Sequence, residues 1–309
     1  MKTVAVMLCT YNGEQFLDAQ LESLAQQTQP DLVVYVSDDG SSDATLKIIK
    51  QSMHKYPHLN IQFLESSQRD SRKGFQYNFL SIFNLSNPPA RYIAYVDQDD
   101  IWEKDKLACA LKWLETLPPQ TPGLYGGRTR LINEHDQDMG FSPLYTKRPS
   151  FSNALVQNIF GGNTMVMNLS AWYLMKSAYG PDIISHDWWT YQVIAGAEGE
   201  IFYDPKPKVR YRQHASNVVG SNKSLQQNWS RFKRVWRGQF SRFNETNLAA
   251  LSAVKFLLSP TNQQQLQSFI QAREAGRPAL LRYLFAGNIY RQTCLGQIAL
   301  FIAIVLRKF

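Results

Sequence analysis

Five apolar residues, Tyr92-Ile93-Ala94-Tyr95-Val96, run directly into Asp97-Gln98-Asp99-Asp100. A short, uninterrupted apolar run predicts a strand buried on both faces. Three carboxylates at the end of such a strand are costly unless something positive binds there. A hard divalent cation shared with a diphosphate fits that requirement. Mg²⁺ is commonly held by one or two carboxylates plus substrate phosphates. The plainer alternative is an acidic loop that caps the helix after it.

The segments before this cluster alternate in type. Residues 4–9, 32–36 and 61–64 predict buried strands, being short and rich in β-branched side chains. Between the first two, residues 14–27 place Leu17, Leu21 and Leu24 at helical spacing. A second helix is predicted to start at Ser42-Asp43, with Leu46, Ile49 and Met53 on its inner face. Residues 74–83 form a third predicted helix, with Phe75, Phe79 and Phe83 at four-residue intervals, and residues 104–114 a fourth. Strand–helix alternation predicts an α/β fold, with a mainly parallel sheet between helices. In such sheets ligands bind at the C-terminal ends of the strands. Thr10-Tyr11-Asn12-Gly13, residues 37–43 and residues 97–100 follow the first, second and fourth strands, so three polar loops should converge on one edge. Neither G-x-G-x-x-G nor G-x-x-x-x-G-K-[ST] occurs, which excludes the usual dinucleotide and P-loop readings.

Leu117-Pro118-Pro119-Gln120-Thr121-Pro122-Gly123 breaks the alternation. Residues 124–133 and 161–167 predict two further strands, and beyond Gly220 the chain becomes helical and basic. Residues 1–205 carry a net charge of −7 and residues 206–309 a net charge of +15. Such a basic region attracts nucleic acid, anionic lipid or phosphorylated substrates. No nucleic-acid-binding motif accompanies it, so nucleic acid is not expected as a partner. Cys9, Cys109 and Cys294 are odd in number and far apart, which predicts buried, spectator thiols in a reducing compartment. Met1-Lys2-Thr3 leads straight into an apolar stretch too short for a secretory signal.

Taken together, Thr10-Tyr11-Asn12, Asp38-Asp39-Gly40-Ser41-Ser42-Asp43 and the D-x-D of Asp97-Gln98-Asp99 resemble the inverting family 2 glycosyltransferases of the GT-A fold. The resemblance spans roughly residues 3–220. Asp97-Gln98-Asp99-Asp100-Ile101-Trp102, Ser185-His186-Asp187-Trp188-Trp189 and Tyr211-Arg212-Gln213-His214 look most like the bacterial rhamnosyltransferase-like branch. The resemblance implies a GT-A catalytic domain over residues 1–220, with a nucleotide-sugar half (1–117) and an acceptor half (118–220). A helical, basic C-terminal extension would follow over residues 221–309.

It also implies roles for individual residues. Thr10, Tyr11 and Asn12 would line the nucleotide pocket, with Asp97, Gln98 and Lys73 also on the donor. Asp39 would accept a hydrogen bond from the pyrimidine imide, or else stabilise the turn at Gly40. Asp38 would order the loop. Asp99 and His214 would hold Mg²⁺ or Mn²⁺, and Arg210 and Arg212 are candidates for the diphosphate. Asp187 would be the general base that an inverting transfer needs, with His186 as its rival. Trp188 and Trp189 would stack on the acceptor sugar, and Gly162 and Asn163 would form an acceptor-side loop.

Trp229, Phe232, Trp236, Phe240 and Phe243 fall on one helical face, interleaved with Arg231, Lys233, Arg234, Arg237 and Arg242. Aromatic residues with cations suit an interfacial membrane helix; packing on the catalytic domain is the alternative. Residues 295–306 are apolar but shorter than the roughly 20 residues of a spanning helix. They are expected to dock, to lie at an interface or to form a homodimer contact. The expected protein is cytoplasmic and peripheral on the bacterial cytoplasmic membrane. It would use dTDP-rhamnose or another nucleotide sugar and a lipid-linked glycan acceptor. The competing readings are a UDP-hexose enzyme of the same fold, a glycan-binding protein without catalysis, and a nucleotidyl transferase. The last is weakened by the absence of any cation in Thr10–Gly13.

Overall fold

The computed structural model describes residues 3–29, 31–72, 74–214 and 239–309. In chain order these form β1 (Val4–Thr10), α1 (Leu17–Ala25), β2 (Leu32–Asp38), α2 (Thr45–Lys55) and β3 (Ile61–Phe63). There follow α3 (Phe75–Leu80), β4 (Tyr92–Val96), β5 (Ile101–Trp102), α4 (Lys106–Leu114), β6 (Gly123–Gly127), β7 (Arg130–Ile132) and β8 (Asp138–Phe141). Next are α5 (Phe151–Ala154), β9 (Val166–Asn168), α6 (Leu169–Ser177), α7 (His186–Gly196), β10 (Glu200–Asp204) and β11 (Val209–Arg212). The chain continues with α8 (Gln239–Ala253), α9 (Pro260–Glu274), α10 (Arg277–Phe285) and α11 (Cys294–Val305).

The described residues fall into two compact units. One is drawn from Met1–Leu144, Phe160–Tyr179 and Glu200–Gly220, the other from Tyr145–Ile159, Gly180–Gly199 and Ser221–Phe309. In the first, seven strands lie in the order β10-β6-β9-β4-β1-β2-β3. All neighbours are parallel except β9, which runs antiparallel to β4 and β6. This is the mainly parallel, helix-covered sheet that the alternation predicts. β1 is buried along its whole length. Val4, Val6 and Leu8 point into a core with Leu17, Leu21, Leu24, Ile49, Leu107 and Leu111. On the opposite face Phe79 packs edge-on against Tyr95 at 5.6 Å, and Phe83 meets Trp172 at 6.4 Å. Because β4, β1 and β2 are adjacent, with Thr10 opposite Asp38 and Leu8 opposite Val96, their C-terminal loops emerge side by side. A smaller sheet, β5-β11-β7-β8, belongs to the same unit.

Local departures have physical causes. Residues 124–133 are not one strand. The glycines at 126 and 127 end β6, and β7 pairs in the other sheet. Residues 162–164 form a 3-10 turn before β9 rather than extending it. α3 tightens into a 3-10 turn at Ser81–Asn84, leaving Phe75 exposed while Phe79 and Phe83 stay buried. α2 is rotated by one residue from expectation. Its buried face is Thr45, Ile49 and Ser52, and Leu46 and Met53 are exposed. On that face the Thr45 hydroxyl accepts the Gly13 N–H at 2.8 Å. Of the three free thiols Cys9 is buried, Cys109 is partly buried and Cys294 is exposed, so the last is not the buried spectator expected.

Lys106, the first residue of α4, is fully buried. Its Nζ lies 3.6 Å above the Trp102 ring and has no hydrogen-bond partner among the described residues. Burial drives its pKa well below the ordinary lysine value. The unfolded chain therefore binds a proton that the folded chain resists. That destabilisation is greatest below the folded pKa and fades as the pH rises towards the ordinary lysine value. Lys106→Met should stabilise the protein by about 1–3 kcal/mol at neutral pH, with a smaller gain at alkaline pH. Thermal melts of both proteins across that range test this, and an equal or lower midpoint for Lys106→Met at neutral pH would refute it.

The second unit is helical. α7 is its interior helix, with Trp189, Tyr191, Val193 and Ile194 fully or almost fully buried. Trp188 Nε1 donates to the Ala154 carbonyl at 2.7 Å, and the Tyr191 hydroxyl donates to the Ser150 carbonyl at 3.1 Å. Ser150, Ser259 and Thr293 cap α5, α9 and α11 through their hydroxyls. Phe269 of α9 stacks on Tyr283 of α10 at 5.8 Å. Among the described residues no helix is long and apolar enough to cross a membrane.

Candidate active site

The site is built from three loops that hold one another through side chains. Asp38, at the end of β2, is the hub of the second loop. Its Oδ1 accepts Gly40 N and Ser41 N, at 3.1 and 2.8 Å. Its Oδ2 accepts the hydroxyls of Thr10 and Ser41, at 2.7 and 2.6 Å. Gly40 takes φ +87°, in the left-handed region that glycine adopts without strain. In the first loop Asn12 Oδ1 accepts Ser42 N at 2.9 Å, and Ser41 Oγ accepts Asn12 N at 2.9 Å. Gln98, from the third loop, closes on the first like a peptide partner. Its Oε1 accepts Tyr11 N at 2.9 Å and its Nε2 donates to Tyr11 O at 3.0 Å. A Cβ on Gly13 would overlap that amide, so a side chain there would push Gln98 away from Tyr11.

This frame holds some of the loop side chains inside and leaves others exposed. Thr10 is buried and donates to Asp38, and the side chains of Asn12 and Gln98 are committed to neighbouring loops. Through these bonds the three side chains hold the loops together. Tyr11 is exposed, and Asp39 is half-exposed with Arg69 at 3.5 Å. The backbone N–H of Asp39 donates to Thr10 O at 2.8 Å, which leaves its carboxylate projecting from the loop. The buried Cys9 thiol has its pKa pushed up by burial, then by the nearby Asp97 and Asp39 carboxylates. Lys73 lies outside the described residues, as do Trp229, Phe232 and Trp236 of the aromatic–basic segment.

β11 braces the acidic cluster. Arg212 N donates to Asp100 Oδ1 at 2.9 Å, and its Nε donates to Asp99 O at 2.9 Å. Its guanidinium is buried and pairs with Asp136 at 2.7 Å, while Arg210 pairs with Glu103 at 2.9 Å. The expected diphosphate role of these arginines is therefore replaced by a structural one. Asp100 is fully buried and also accepts a hydrogen bond from Asn163 Nδ2. Burial raises its pKa well above the ordinary carboxylate value, and the charges of Asp99 and Asp97 add to that. Asn163 is 2% exposed and Gly162 is buried, so neither presents an acceptor surface; the turn supports Asp100 instead.

Asp99 and His214 meet directly, with Nε2 and Oδ2 at 2.7 Å. Phe16 packs on the imidazole at 5.0 Å. Two cis ligands of an octahedral ion with bonds of about 2.1 Å stand roughly 3 Å apart, so this carboxylate–imidazole pair fits a divalent ion with little movement. Among the described residues no group of three or more His, Cys, Asp or Glu forms a complete metal site. The pair could supply two ligands to such an ion, and the remainder would have to come from a bound substrate and water.

In the second unit, Asp187 lies in the first turn of α7, partly buried, and its Oδ1 accepts Trp188 N at 2.7 Å. Its neighbours differ from expectation. Trp188 and Trp189 are 7% and 1% exposed, so neither offers a face to a sugar; they anchor the helix that carries Asp187. His186 is buried, and burial lowers its pKa to about 4, with Asp187 opposing the shift. A ring so enclosed is poorly placed to reach a substrate hydroxyl. The bracing residues Asn163, Arg212 and Ser41 were not foreseen as such, although the D-x-G-S spacing of Asp38 to Ser41 is itself the sign of a side-chain-closed turn.

Comparison with known proteins agrees with this architecture. The model of the family described as glycosyl transferase family 2 matches residues 5–178, more than half of the chain. A dTDP-rhamnosyl transferase, RfbG, from Shigella flexneri is 28% identical over 249 residues, covering 78% of this chain and 83% of that one. Among solved structures, S. aureus TarS 1–349 in complex with UDP-GlcNAc superposes with a TM-score of 0.57 at 16% identity, covering 88% of this chain and 72% of that one. The mannosyltransferase PcManGT from Pyrobaculum calidifontis, in complex with GDP-Man and Mn²⁺, gives a TM-score of 0.51 at 18% identity, covering 99% and 86%. These two share the fold. With the family model spanning six of the sheet's seven strands and all three loops, the chain belongs to glycosyl transferase family 2 and is a glycosyltransferase.

Proposed function

We propose that this enzyme is a metal-dependent, inverting glycosyltransferase that moves L-rhamnose from dTDP-β-L-rhamnose to a growing, lipid-linked cell-surface glycan. The observation that carries the donor-site reading is the convergence of Tyr11, Asp39 and Asp99 on adjacent strand ends, with His214, just beyond β11 of the smaller sheet, paired to Asp99. Asp39 suits the imide N–H of thymine or uracil, because its carboxylate projects from a loop whose geometry Asp38 already fixes. Similarity to RfbG supports dTDP-rhamnose over a UDP-hexose. Asp99 and His214 are the residues to hold Mg²⁺ or Mn²⁺, with Asp97 on the same loop as Asp99. The bound cation would neutralise charge as the nucleoside diphosphate leaves. Asp187 takes the proton of the acceptor hydroxyl in a single displacement, which inverts the β-linked donor to an α-L-rhamnoside. The second unit, basic and in part apolar, suits a peripheral position on the cytoplasmic membrane, where a lipid-linked acceptor resides.

Isothermal calorimetry against dTDP, UDP and GDP, with and without Mn²⁺, tests the donor. Binding of dTDP tighter than UDP and strengthened by Mn²⁺ is expected. A preference for UDP would replace rhamnose by a UDP-sugar, and absence of binding to all three would remove the transferase site from these loops.

A further inference from the structure

We propose that the outer face of α11, with the end of α10, is a docking surface for an anionic lipid bilayer. α11 reads Cys-Leu-Gly-Gln-Ile-Ala-Leu-Phe-Ile-Ala-Ile-Val and is apolar all round apart from Gln297. A helix of that kind belongs in a core or in lipid. Only one of its faces is in a core. Leu300, Ala303 and Ile304 are buried, whereas Leu295 is 80% exposed, Ile298 54% and Ile302 37%. Phe301 continues this face and meets the exposed Phe285 of α10 at 6.0 Å, so the apolar surface spans two helices.

The occupant follows from charge. Residues 277–309 contain Arg277, Arg282, Arg291, Arg307 and Lys308 and no Asp or Glu. Arg277 reaches the far end of α11, donating to Val305 O at 3.1 Å, and Arg307 is exposed just beyond it. An apolar face bordered by cations and lacking carboxylates matches acyl chains beneath anionic headgroups. A twofold contact between two copies would instead bring these like charges together. At 12 residues α11 is too short to span a bilayer, for which about 20 are needed, so it lies in the interface. This deepens the peripheral placement proposed above and assigns it to named residues outside the aromatic–basic segment. It is independent of the donor.

Vesicle flotation of the full chain tests it, using phosphatidylcholine alone or with about a third phosphatidylglycerol. The wild type should float with the anionic vesicles, and less so at high salt. Leu295→Ser combined with Ile298→Ser should weaken partitioning at least ~10-fold, as should Arg307→Glu combined with Lys308→Glu. Both variants should keep the wild-type circular dichroism melt and nucleoside-diphosphate calorimetry, because the altered side chains lie at the surface. If the apolar pair fails to fold, the charge pair decides alone. The proposal is overturned if the wild type does not float or if folded variants float as well as the wild type. It is also overturned if light scattering shows a dimer that the apolar pair dissociates. Donor calorimetry separates these results from failure of the functional reading.

Discussion

Replacing Asp187 by Asn should lower transfer by about 10³-fold or more, while dTDP affinity stays within roughly twofold. Asparagine is nearly isosteric and keeps the oxygen that accepts Trp188 N, so the first turn of α7 retains its internal bond. The helix itself is held by Trp188, Trp189 and Tyr191, none of which the substitution disturbs. On the proposed reading, what is lost is the proton acceptor alone. Turnover with the proposed rhamnosyl donor and calorimetry with dTDP read the two quantities separately. A large loss of dTDP affinity would show that Asp187 serves the donor and would end its assignment as base. Retention of most of the activity would transfer the role to another group. His186 is a poor substitute, since its ring is buried and neutral at physiological pH, with a pKa of about 4.

Asp99→Asn should produce a comparable loss by another route. The amide can still meet the His214 imidazole, but it carries no charge for a cation. Transfer should fall by about 10²–10³-fold, and the strengthening of dTDP binding by Mn²⁺ should vanish. Chelation of the wild type should give the same calorimetric result without a mutation. A variant whose dTDP affinity still rises with Mn²⁺ would remove Asp99 from the metal. Asp100, although adjacent in sequence, should behave differently. It is enclosed by Asn163 and the Arg212 backbone, so its loss acts first on folding.

The sheet was legible because apolar runs and helical spacing are local. Leu17, Leu21 and Leu24 lie three or four residues apart and all face the core as read. The convergence of the loops was legible too, since parallel neighbours deliver their C-terminal ends to one edge. The division of labour within the site was not. Asn163 meets Asp100 across 63 positions, and Gln98 meets Tyr11 across 87. No period or spacing encodes such pairs. The tryptophans at 188 and 189 illustrate a second limit. A sugar platform and a helix anchor use the same residue type, and only burial separates them. α2 shows a third. Its buried face runs through the small polar side chains of Thr45 and Ser52 rather than Leu46 and Met53, and no apolar pattern announces such a face.

The crosswise fastening of the three loops has a consequence for how the enzyme can change. Thr10, Asn12, Asp38 and Gln98 each satisfy a partner in another part of the frame or in the backbone that bears it. Altering any of them dismantles a neighbour as well. Tyr11 and Asp39 project from that frame with few obligations to it. On the proposed reading, in which these two side chains meet the base, selection for a new nucleotide can act on them at little cost in stability. Drift elsewhere in the loops must proceed by paired substitutions, so the donor preference is free to wander while the scaffold that presents it stays still.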